Sequence, residues 1–131
     1  MNLALLRVEG EEEMLELIVE HLDLKPEQRW KAGEESRQGV PYRSSGFSTT
    51  VADSPTPAEM LVRIREFVST CRQRSTDFLD VQAELSIGVA VGDATQYVVT
   101  LDFNHVILRQ LADLGITLSV AAYPSGVPEQ G

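Results

Sequence analysis

The chain has 131 residues, 43% of them hydrophobic and 24% charged, and its 20 acids against 11 Lys and Arg leave a net charge of −9. That length predicts one domain with one core over residues 1–124, followed by a flexible tail over 125–131, and the acidic balance disfavours nucleic acid and anionic lipid while favouring a basic protein partner. The single cysteine, Cys71, admits no internal disulfide, no apolar run approaches the ~18 residues that cross a bilayer, and Met1 to Arg7 lack a signal peptide's basic and apolar regions; a cytoplasmic protein is expected.

Residues 2–8 form a short, almost continuous apolar run and predict a strand buried on both faces. Between Glu9 and Asp23 stand seven acids and no Lys or Arg. Met14, Leu15, Ile18 and Leu22 keep a helical period there, and Glu12, Glu13, Glu16, Glu20 and Asp23 fill much of the remaining surface. Acids in the first turn suit the positive end of a helix dipole, and Pro26 requires the helix to stop near Asp23. Residues 25–46 lack periodicity and are broken by Pro26, Gly33, Gly39, Pro41 and Gly46, which predicts a long loop with an extended piece near Val40 to Tyr42. This loop carries Trp30 and Tyr42 and a small basic excess. Trp30, between Arg29 and Lys31, suits either a lid over the core or the anchor of an interface.

Phe47 to Ala52 predicts a strand through its β-branched Thr49, Thr50 and Val51. Thr56-Pro57-Ala58-Glu59 is a helix start: a capping threonine, a proline at the first helical position and a glutamate three residues after the cap. Met60, Leu61, Ile64, Phe67, Val68 and Cys71 then share one face, so the helix lies on a sheet and ends near Gln73 or Arg74. Val81 to Val91 alternates apolar and polar residues without a break, Gly92-Asp93-Ala94 supplies a turn, and Tyr97, Val99 and Leu101 continue the alternation; a hairpin over 82–101 follows. A third helix capped by Asp102 or Asn104 carries Val106, Ile107, Leu111 and Leu114 and ends at Gly115, and Ile116 to Tyr123 is the last strand. The expected fold is an α/β, or α+β, sandwich: a mixed or antiparallel sheet of about five strands with three helices mainly on one face, and a polar open face that includes Glu84, Ser86, Gln96, Thr117 and Ser119.

Chemistry-bearing motifs are sparse. His21, His105 and Cys71 are far apart and lack metal-ligand spacing, which predicts no metal site, and Cys71 falls on the buried stripe of its helix, which argues against a reactive thiol. Gly33, Gly88 and Gly92 form no phosphate loop. No catalytic residue and no cofactor is assigned, and a non-enzymatic protein is expected. The partner-binding set is Glu12, Glu13, Glu16, Glu20, Asp23 and Trp30.

Several ordered features carry a family resemblance: Leu24-Lys25-Pro26, Trp30-Lys31-Ala32-Gly33-Glu34, Ser44-Ser45-Gly46-Phe47-Ser48, the alternating segment after residue 81, and Leu111-Ala112-Asp113-Leu114-Gly115 leading to Val120-Ala121-Ala122-Tyr123. Together they resemble the bacterial family catalogued as domain of unknown function 4279 over residues 3–123, with Phe47 where such sequences often have tryptophan. The resemblance implies a small bacterial cytosolic protein and brings no catalytic residues. Some small acidic bacterial α/β proteins of this kind look like immunity proteins that block a basic toxin, which agrees with the acidic first helix. The alternative is a small-molecule or peptide module with the loop around Trp30 as a lid.

Overall fold

A computed structural model of the chain describes residues 2–125; of the expected tail over 125–131 only Ser125 is described, and its N–H donates to Val91 O. Five strands form one mixed sheet, β1 (Asn2–Gly10), β2 (Gln28–Trp30), β3 (Ser45–Ser54), β4 (Gln82–Val91) and β5 (Ile116–Pro124), in the order β2-β3-β1-β4-β5. Three helices, α1 (Glu12–Leu22), α2 (Pro57–Gln73) and α3 (His105–Asp113), pack on one face. This is the predicted mixed sheet with three helices.

β1 lies at the centre of the sheet, paired along both edges, but it is not buried on both faces as its apolar run predicts, because all three helices pack on the same side. Ala4, Leu6 and Val8 are fully buried under the helices, while Leu3, Leu5 and Arg7 point to the other face. β3 and β4 both run antiparallel to β1, and a register shift between Ala4 and Leu5 leaves Val51 as an extra residue on β3. β4 presents Ala83, Leu85, Ile87 and Val89 to the core, as the alternation predicted. Met60, Ile64, Val68 and Cys71 of α2 and Ile107 and Leu111 of α3 close the core from above.

The helix ends follow the local chemistry. Thr56 Oγ1 accepts the Glu59 N–H at 3.2 Å, and Asn104, not Asp102, caps α3 by accepting the Ile107 N–H at 3.1 Å. Gly115 has φ +78°, the left-handed turn expected after α3. α1 ends on Asp23 at φ 51°, whose N–H donates to Glu20 O while Leu24 N–H donates to Val19 O. Arg74, at the end of α2, reaches across to donate to His21 O at 3.2 Å, so a cation sits at the carbonyl end of α1.

Two predicted elements differ. The stretch 25–46 contains strand β2, fastened by the Glu27 carboxylate accepting the Thr50 N–H at 2.9 Å, together with a small bridge between Glu35 and Pro41, and β3 begins at Ser45 instead of Phe47. The second arm of the predicted hairpin over 82–101 is not a strand. Both edges of β4 are already taken, by β1 antiparallel and by β5 parallel, and a parallel neighbour requires a crossover, which α3 provides. The alternation after Gly92 has a different cause: Val99, Leu101 and Phe103 lean on the core while Tyr97 and Val98 are each 77% exposed.

Gln96 is correspondingly buried and absent from the open face. It accepts from Asn2 Nδ2 at 2.6 Å and donates to Ala90 O. The turn before it is organised by Asp93, whose Oδ1 accepts the Gln96 N–H, the Thr95 hydroxyl and the Thr95 N–H, and whose Oδ2 accepts the Ser125 hydroxyl. These bonds to the charged form, led by the Gln96 N–H, lower the Asp93 pKa from 3.8 to about 2. A lowered pKa stabilises the fold above the ordinary value and ceases to do so as pH falls toward the folded one. The gap in thermal stability between wild type and Asp93→Asn is therefore expected to be constant above pH 3.8 and to close as pH falls to about 2, measured by melts across that range.

Candidate functional site

α1 buries Leu15, Ile18 and Leu22 against β1 and β3, and the rest of its surface divides three ways. With 3.6 residues per turn, Glu13 and Glu20 fall opposite the buried stripe and form an outward ridge, Glu12 and Glu16 fall on the flank toward β2, and Met14, Leu17 and His21 fall on the flank toward residues 75–81. All five predicted acids, Glu12, Glu13, Glu16, Glu20 and Asp23, are exposed.

The flank toward β2 is charge-compensated. Arg29 shares the register of Phe47 and Val8, so it stands on the helix side of the sheet, and Lys31 pairs with Glu12 at 3.4 Å. Glu12, Glu16 and Glu34 meet Arg29 and Lys31 around a groove of about 160 Å³. The opposite flank is anionic. Met14, Leu17 and Ile18 floor a second groove, of about 170 Å³, whose wall carries Asp77 and Asp80, with His21 the one basic side chain among its lining residues. The ion pairs among the described residues are Arg7 with Glu9, Lys31 with Glu12, and Arg63 with Glu66, so Glu13, Glu16, Glu20 and Asp23 have no ion-pair partner there.

Leu17 was outside the predicted partner-binding set. It is 47% exposed between the ridge and the anionic groove, an apolar patch bordered by acids. Its signal was present in the sequence, since Leu17 falls off the stripe formed by Leu15, Ile18 and Leu22. Asp77 and Asp80 had no such signal, because only the packing of the 75–81 segment beside α1 brings them to the acidic helix. Asp23 has a second role as the left-handed residue that ends α1.

The Trp30 ring lies across the sheet from the acids, although the residue also lines the compensated groove with Glu12 and Glu16. It shares the register of Gly46 and Glu9, which places its ring on the face away from the helices. There it is 6% exposed, stacked on Tyr42 at 5.4 Å between centroids, with the Arg7 guanidinium 4.4 Å above the ring. Trp30 is thus a lid over the strands on the open face, and the predicted partner-binding set comprises two surfaces.

Other chemistry is muted. Burial pushes the Cys71 thiol up to about 12, which suppresses the thiolate. Among the described residues no group of three or more His, Cys, Asp and Glu is arranged to hold a metal ion, and no helix is long and apolar enough to cross a membrane. No family model matches the chain, and comparison with curated proteins and with solved structures finds no match.

Gly46 lets Trp30 lie flat on β3. A Cβ at this position would overlap the indole ring and stand 2.7 Å from Val8 O, which is backbone in the central strand and cannot retreat. Gly46→Ala is expected to destabilise the protein by roughly 1–3 kcal/mol through overpacking and to shift Trp30 emission to longer wavelength, both read in one urea titration.

Proposed function

We propose that this protein is a non-enzymatic binding protein that neutralises a basic protein partner, in the manner of an immunity protein that covers the cationic surface of a toxin, with the outer ridge of α1 and the anionic groove beside it as the contact. The observation that carries this reading is the exposed Leu17, set between Glu13 and Glu20 on one side and Asp77 and Asp80 on the other. An apolar floor with an acidic wall suits the side chain of Lys or Arg, which lays its aliphatic stem on apolar surface and keeps its charge at a polar rim. The unpaired acids steer a basic partner toward the ridge, and the buried stem supplies the slow dissociation.

The alternative, a small-molecule or peptide site under a Trp30 lid, has less behind it. At 6% exposure, stacked on Tyr42 and under the Arg7 guanidinium, the indole is already covered by the protein's own side chains.

The test is co-purification with the product of the neighbouring gene, followed by titration of the purified pair in low and high salt. Binding that weakens with salt is expected. Reversing charge at Glu13, Glu16 and Glu20 together should slow association and flatten its salt dependence, while Leu17→Ala should leave association unchanged and speed dissociation about tenfold, equal to ~1.4 kcal/mol. Unchanged association after the triple reversal removes α1 from the interface.

A further inference from the structure

The two edges of the sheet are built differently. β2 is three residues long, carries Arg29 and is flanked by Glu27 and Lys31, so it is blunted by shortness and charge. β5 runs for nine residues, Ile-Thr-Leu-Ser-Val-Ala-Ala-Tyr-Pro, without a charged side chain. It pairs with β4 in unbroken register from Ile116 to Pro124, and among the described residues its outer edge has no strand partner. The one register shift in the sheet is far from it, between β1 and β3. Of the devices that keep such edges from pairing, this long, regular, uncharged edge has only Pro124, at its last position, which leaves the stretch Thr117 to Tyr123 open.

We infer that two copies of this chain pair through β5, antiparallel about a two-fold axis at Val120, so that their two five-stranded sheets become one of ten. Val120 is the middle residue of the strand, so a two-fold there places Val120 opposite itself, Ser119 opposite Ala121, Leu118 opposite Ala122 and Thr117 opposite Tyr123, with no charge in any pair. Val120, at 50% exposure, and Tyr123 are exposed large side chains on this strand. α3 packs on β5, and its buried residues Ile107 and Leu111 are flanked on one side by exposed Val106 and on the other by exposed Leu108. Whichever flank faces outward therefore adds aliphatic surface to the strand contact.

Charge decides where a second copy can dock, and the absence of charge on β5 suits a second copy better than the basic partner that the rest of the surface attracts. Each copy carries −9, so two copies repel over most of their surface and can meet only where charge is missing. Pairing β5 with itself also closes, whereas pairing it with β2 of another copy would propagate into a fibre and meets the charged, short edge instead. This inference does not rest on the binding role of α1, which packs on β1 and β3 and leaves β5 free.

The experiment is light scattering with sedimentation velocity on the full chain over a range of concentration and salt. The expected result is a mass of twice 14.5 kDa, with the dimer fraction rising as salt screens the repulsion, opposite in sign to the salt response expected for a basic partner. Val120→Lys sets two like charges face to face and should return the mass to 14.5 kDa, whereas Val62→Lys, an exposed site on α2, should not. Under mild oxidation Val120→Cys should form a disulfide-linked dimer and Thr117→Cys should not, because only position 120 meets itself; buried Cys71 stays out of the reaction. This cross-linking pair also decides the matter if Val120→Lys fails to fold. A mass of 14.5 kDa under every condition, a dimer that survives Val120→Lys, or equal cross-linking at 117 and 120 overturns the inference. A strand from a different protein on this edge leaves the pure chain monomeric and counts against it.

Discussion

The double pairing of β1 sets the layout of the whole molecule. Once a strand at the start of the chain is hydrogen-bonded on both edges, β3 and β4 must run parallel to one another on either side of it, and α2 must cross over it to join them. α3 makes a second crossover and leaves β5 outside β4. Because the crossover helices and α1 share one face, Ala4, Leu6 and Val8 are sealed and the other face stays bare. Leu3 and Leu5 are half-covered on that bare side, and Trp30, Tyr42 and Arg7 form a separate small cluster there. The glycine at position 46 is therefore as much a part of the sheet's construction as the core leucines.

The helices and the central strands were legible in the sequence because their signals are local. Thr56-Pro57 starts α2, Gly115 ends the turn after α3, and the alternation of Val81 to Val91 marks a strand whatever its neighbours. Residues 97–101 show where that logic fails. Alternation reports that successive side chains face different surroundings, and a segment laid across a core at Val99, Leu101 and Phe103 meets this condition without hydrogen-bonding to a strand. Nothing within the segment reveals that β4 has no free edge; that is settled by β5, some twenty residues later. β2 was missed for the opposite reason, since three residues are too few to show a period and its fastening comes from Glu27 to the distant Thr50.

The candidate site was legible in its charge and not in its shape. A count of acids between Glu9 and Asp23 identifies a helix of one sign, and all five acids named from the sequence are exposed. Geometry then divides them: Glu12 faces Lys31 and loses much of its field, while Glu13 and Glu20 stand clear. The sequence offers Trp30 as an interface anchor because Arg29 and Lys31 flank it, yet a single step along an edge strand reverses the direction of a side chain, and Arg29 and Lys31 lie on the helix side while the indole lies on the other. The acidic region also gained Asp77 and Asp80, which no inspection of α1 alone would include.

α1 is held at both ends by cations from elsewhere in the chain, Lys31 at Glu12 in its first turn and Arg74 at the carbonyl of His21 in its last. Between those ends Leu15, Ile18 and Leu22 fix its rotation about its own axis. A surface restrained in this way has little conformational freedom left to surrender when something docks on it. The backbone of this helix is consequently ordered by the fold itself, at its two ends through Lys31 and Arg74 and along its length through the buried stripe.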